Sequence, residues 1–166
     1  SRSSYFISKF NAEQLIKNSG LQYTIFRPSY ILGVDDYLTK NISKQLLKKQ
    51  VLIPGSGKFY LQPIFIDDVC SCINTALHSS KFLNKIIDLV GPKKILFQNL
   101  IKNSIPSEIK IKKINLELAY QKALSDINFE YGVEDLNILV GNYIGNHKKL
   151  QNLCNFKFKN IESLNT

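Results

Sequence analysis

The chain has no methionine and no tryptophan, and among its 166 residues only two arginines and three cysteines. Three cysteines, two of them in Cys70-Ser71-Cys72, make no disulfide framework, so a reduced, cytoplasmic setting is expected. Residues two apart on a helix point to nearly opposite sides, which excludes a metal shared by Cys70 and Cys72. His78 and His147 have no carboxylate or histidine at ligand spacing, and no metal site is expected. No apolar run approaches the ~18 residues of a membrane-spanning helix. With Ser1 at its start and no methionine, the chain reads as a piece of a longer protein.

What the sequence has in excess is lysine. The net charge is +9, from 22 basic and 13 acidic residues. Twenty of the basic residues are lysine, and isoleucine (21) and asparagine (16) are also abundant. Nucleic-acid sites favour arginine for bidentate contacts and interleave aromatic residues that stack on bases, and neither pattern is present. The lysine pairs at 48–49, 93–94, 112–113 and 148–149 are scattered, as on a solvated surface, and no nucleic-acid partner is expected.

Patterning alternates between helix and strand, the mark of an α/β protein with parallel pairing. A helix is expected over 5–18, closed by Gly20, then a strand over 21–26 ended by Pro28. A helix over 38–49 and a strand over 51–54 run into a glycine turn at Gly55 and Gly57. A strand over 63–66 meets Asp67-Asp68, placed to cap the next helix. That helix carries the stripe Val69, Cys72, Ile73, Ala76, Leu77 expected to face a sheet. A strand over 86–90 has the continuous apolar character of one buried on both faces. Beyond it come a helix over 96–103, an edge strand with Ile109, Ile111 and Ile114 among lysines, and helices over 116–125 and 133–140.

One pair stands out chemically. Tyr5 and Lys9 are four residues apart on a helix, so the ammonium sits beside the phenol. A positive charge there favours the phenolate and lets tyrosine exchange a proton near neutral pH. Chance alone predicts about one such pair in this composition, so the context decides. Ser8-Lys9, Ala12-Glu13, Gly20-Leu21, Thr24-Ile25-Phe26-Arg27-Pro28-Ser29, Gly33 and Asp35 or Asp36 follow in order. Later come Gly55-Ser56-Gly57, Gln62-Pro63, Phe65-Ile66-Asp67-Asp68-Val69, Ala76-Leu77 and Asp88-Leu89-Val90-Gly91-Pro92.

As a set, over about residues 5–100, these resemble the second half of extended and atypical short-chain dehydrogenases/reductases, the NAD-dependent epimerase/dehydratase superfamily. The resemblance implies the C-terminal half of a Rossmann-like, doubly wound parallel sheet plus a small α+β substrate domain. The expected division puts 1–100 in the Rossmann-like part, with about 34–62 inserted from the substrate domain, and 101–166 in the rest of that domain. By the same resemblance Tyr5 and Lys9 are catalytic, with Tyr5 the acid/base and Lys9 also on the nicotinamide ribose. Pro28, Ser29 and Ile31 line the nicotinamide, and NAD or NADP is held mainly by a half not included here. Arg27 either contacts a phosphate or braces the loop after it.

Two departures shape the expectation. No arginine stands in Tyr60-Leu61-Gln62-Pro63, where the nucleotide-sugar enzymes meet the diphosphate, so sugar-nucleotide chemistry loses weight. Gln62-Pro63 and the stretch 132–146 look more like the branch holding the NAD(P)H-binding accessory subunit of respiratory complex I, which implies a location at the periphery of that complex and a structural cofactor. No Gly-x-Gly-x-x-Gly loop is present, and Gly55-Ser56-Gly57-Lys58 lacks the other residues of a phosphate loop. The chain alone is therefore expected neither to bind the dinucleotide tightly nor to turn over. Apolar surface left on the first helix and on the strands over 21–26 and 86–90 is expected to drive a homodimer or larger complex.

Overall fold

The computed structural model describes residues 3–161, which form two compact units. The first contains the described residues up to Leu32, then Gln62–Lys94, then those from Tyr143 onward. The second contains Gly33–Leu61 and Ile95–Asn142. The units differ from the expected division at two places: residues 95–100, expected in the first part, fall in the second unit, and residues from Tyr143 to 161, expected with 101–142, fall in the first; residues 162–166 lie outside the described residues.

In the first unit, helix α1 (Ser4–Asn18) ends at Ser19, and Gly20 follows with φ +75°, the left-handed turn that glycine permits. Strand β1 (Thr24–Pro28) starts three residues later than expected, leaving Leu21 exposed. It takes in Pro28 as its last member, where a missing N–H costs little. Strand β2 (Ile31–Leu32) follows. Strand β5 (Ile64–Phe65) leads into α3 (Ile66–Leu77), and a single 3₁₀ turn (Ser80–Phe82) leads into β6 (Lys85–Leu89). β1 runs parallel to β6, from Thr24 opposite Lys85 to Pro28 opposite Leu89, and β2 parallel to β5. In β6 Ile87 and Leu89 are buried while Lys85 is exposed, so it alternates rather than being buried on both faces.

The core of this unit gathers Ile64, Val69, Cys72, Phe82, Ile87, Leu89, Leu150 and Phe158. Helix α3 buries Val69 and Cys72, whereas Ile73 and Leu77 are exposed. The apolar stripe is wider than the contact it makes, and periodicity does not tell which half is covered. A helix not foreseen, α7 (His147–Leu153), packs on β6, capped by the Asn146 side chain, which accepts from Lys149 N.

The second unit holds α2 (Tyr37–Leu46), β3 (Gln50–Pro54), β4 (Tyr60–Leu61), β7 (Ile95–Leu96), α4 (Phe97–Asn103), β8 (Lys110–Ile114), α5 (Leu116–Ser125) and α6 (Val133–Leu139). β3 and β8 pair in parallel, β4 and β7 antiparallel. A buried polar strut organises it. The Tyr131 hydroxyl donates to Leu52 O at 2.5 Å and lies 3.3 Å from Gln45 Nε2, while Gln45 Oε1 accepts from Leu52 N. Parallel pairs flanked by helices make this an α/β, Rossmann-like architecture.

Candidate functional site

Helix α1 carries Tyr5 and Lys9 one turn apart. Lys9 Nζ lies over the Tyr5 ring, 5.4 Å from its centre, a cation–π contact that brings the charge to the phenol. Tyr5 is 44% exposed, and its hydroxyl hydrogen-bonds no described residue.

No residue of α1 is buried. Its position rests on specific contacts. Arg27, next to last in β1, donates through Nε and Nη2 to the two Glu13 carboxylate oxygens at 2.8 and 2.6 Å. That fork ties Arg27 to helix α1, a partner different from both the phosphate and the following loop expected for it. The bonded guanidinium holds the Glu13 carboxyl below its ordinary range, and the carboxylate raises the arginine in turn. At the other end the Phe6 ring stacks on Tyr143 at 6.1 Å and meets Tyr5 edge-on at 5.3 Å.

Tyr143 is the residue that sequence reasoning missed. It is half-buried, and burial followed by the neighbouring Tyr5 pushes its phenol above the ordinary value. Its hydroxyl, too, has no partner among the described residues. The only signal was its place two residues before Gly145 and three before the Asn146 cap.

The loop after β1 is built as a brace. Ser29 Oγ donates to Tyr143 O at 2.6 Å and accepts from Gln62 N at 3.1 Å. Gln62, 2% exposed, donates through Nε2 to Gly91 O and accepts through Oε1 from Gly145 N. Asp88 Oδ2 accepts from Asn146 N, and the His147 ring nitrogen meets Val90 O at 2.8 Å. Glycine is required at two of these closures. A Cβ on Gly91 would lie 1.8 Å from Pro63 O, and one on Gly145 would lie 2.5 Å from Asp88 Cβ.

Pro28 is exposed at the end of β1, while the Ser29 hydroxyl is fully engaged within the protein and Ile31 packs against the apolar core. Asp67 and Asp68 correct another expectation. The N-cap of α3 is Phe65, and both aspartates sit inside the first turn, where negative charge meets the helix dipole. Asp68 accepts from Lys159 N and Asp67 pairs with the Lys159 ammonium, tying down the end of the described chain.

Among the described residues no group of metal-ligating side chains comes together, and no helix is long and apolar enough to cross a membrane. No family model matches the chain. It is 26% identical over 117 residues, 69% of its length and 38% of the relative's, to the prestalk A differentiation protein A of Dictyostelium discoideum. Among solved structures it superposes with a TM-score of 0.69 on a nucleoside-diphosphate-sugar epimerase from Staphylococcus aureus. Identity there is 16%, with 93% of this chain and 56% of that one covered. A dTDP-glucose 4,6-dehydratase from Bacillus anthracis, solved with NAD, matches at 0.56 and 17% identity, covering 81% and 39%. The fold is that of these epimerases and dehydratases. The chain spans 38% of the curated relative and about half of the epimerase, 56%.

Proposed function

We propose that this chain is the C-terminal portion of an NAD(P)-dependent epimerase/dehydratase-like oxidoreductase, with Tyr5 relaying a proton at a hydroxyl or carbonyl carbon. The observation that carries this is the free Tyr5 phenol with the Lys9 ammonium over its ring. A nicotinamide dinucleotide supplies the hydride acceptor or donor. Tyr5 Oη takes the substrate hydroxyl proton or returns it, with the Lys9 ammonium held over its ring. The residues present fit one end of that cofactor. Lys9, over the Tyr5 ring, and the exposed Pro28 are the groups that would meet the ribose and nicotinamide, but no glycine-rich turn cradles the pyrophosphate. Tight binding therefore depends on sequence outside this chain. The second unit is the substrate domain in this reading.

The alternative reading is a non-catalytic NAD(P)H-binding subunit or assembly factor, of the kind attached to respiratory complex I. The engaged Ser29 hydroxyl and the buried Gln62 strut favour it, because they turn the loop after β1 into a structural joint.

The test is Tyr5→Phe in the intact protein. NAD(P)H fluorescence reads binding, and nicotinamide absorbance reads turnover with a panel of aldehydes, ketones and sugar nucleotides. The enzyme reading expects unchanged binding and a kcat lower by about 10²–10⁴. Turnover that survives the substitution overturns the role of Tyr5. Binding without turnover of any compound supports the structural alternative.

A further inference from the structure

The site above leaves two buried nucleophiles unused. Cys72 on the inner face of α3 and Cys154 at the C-terminal end of α7 are free thiols whose sulfurs lie 3.6 Å apart. Val69, Phe82, Leu150 and Phe158 belong to the same core. The cysteines are 82 residues apart in sequence. Between them the chain leaves the first unit after Lys94 and returns at Tyr143. They therefore meet where the excursion is closed.

We propose that Cys72 and Cys154 close reversibly into a disulfide that fastens the returning segment, and with it Tyr143, Gly145 and Asn146, onto the first unit. A disulfide needs its sulfurs about 2.0 Å apart, so closure draws the two sulfurs inward from their 3.6 Å contact. Without the bond, that segment is held by the hydrogen bonds to Ser29, Gln62 and Asp88 and by the packing of α7 on β6. The bond adds a covalent loop to these contacts, which restricts the unfolded chain and the local opening of the segment.

The reaction is a two-electron oxidation by a peroxide. When the segment opens, the Cys154 thiolate attacks hydrogen peroxide, giving a sulfenic acid and, with one proton, water. The Cys72 sulfur then attacks the Cys154 sulfur, the S–S bond forms, and the hydroxyl leaves as a second water. Two equivalents of a small thiol, oxidised to its own disulfide, reverse it. Burial pushes both thiols above the ordinary value, so the closed core resists oxidation and opening sets the rate. Cys70, exposed on the opposite side of α3, supplies an internal reference for an accessible thiol.

The experiment treats the full chain with hydrogen peroxide, alkylates it in denaturant with N-ethylmaleimide, and maps the peptides by mass. The expected product is a Cys72–Cys154 linked peptide lighter by two hydrogens. Oxidation should raise Tm by about 10 °C, and dithiothreitol should restore it. Cys70→Ser, at an exposed position, should keep both the link and the shift. Alkylation of Cys72 and Cys154 as free thiols after Cys70 is consumed overturns the proposal. So does a link or a Tm shift that disappears in Cys70→Ser.

Discussion

Helices α1 and α3 belong to the same unit and are similar in length, yet they are held in opposite ways. α3 buries Val69 and Cys72 in the core and anchors Lys159 through both aspartates of its first turn. α1 buries nothing, leaves Phe10, Leu15 and Ile16 exposed, and rests on the Glu13–Arg27 fork and the Phe6–Tyr143 stack. The two residues read as chemical, Tyr5 and Lys9, sit on the helix with the weaker attachment. Scaffold and site thus depend on different physics within one unit. Apolar burial fixes α3, whereas α1 is oriented by a few polar and aromatic contacts whose energies are individually small.

That contrast can be broken most forcefully from the core. Phe82→Ala empties the space beside Val69 and Cys72 and should cost about 3–5 kcal/mol in urea unfolding. Leu15→Ala, at 74% exposure on α1, should stay within about 0.5 kcal/mol of the parent. A comparable loss from the two would show that α1 is packed as tightly as α3.

A smaller effect is expected at the brace. Gln62→Leu leaves Gly91 O and Gly145 N without their partner and should destabilise by about 2–3 kcal/mol in the same assay. It should also increase amide exchange at Gly145, which a defect confined to α1 would not do.

The smallest effect sharpens the attachment of α1. Glu13 has a carboxyl pKa lowered in the folded state, chiefly by its hydrogen bond to Arg27. Its contribution is therefore present above the unfolded carboxylate pKa and is lost as pH falls through the lower, folded value. The guanidinium is half exposed, so solvent screening limits the pair to about 0.5 kcal/mol. Glu13→Gln should remove that increment at neutral pH and flatten the stability profile below about pH 4.5, measured by denaturant titration at a series of pH values.

Much of the architecture was legible. The helix over 116–125 has the observed bounds, because Asn115 caps it and its apolar periodicity is regular. The α/β alternation and Gly20 at the end of α1 were equally plain. α7 escaped because a seven-residue helix with only Leu150 and Leu153 as apolar anchors shows too little periodicity. Asp67 and Asp68 were misread as caps because the chain turns into helix at Ile66, one residue before them.

For the site, sequence spacing alone put Lys9 beside Tyr5, since helical geometry is local and repeats every 3.6 residues. It also sufficed for the fold class, because periodicity and turn residues act within a few positions. Only the tertiary structure decided that Arg27 clamps Glu13, that Ser29 and Gln62 are consumed in a joint, and that Tyr143 and Cys154 return to the first unit. The hydrogen bonds among those contacts join residues from 14 to 114 positions apart, and no local preference of the chain encodes which distant partner a polar or aromatic side chain will meet.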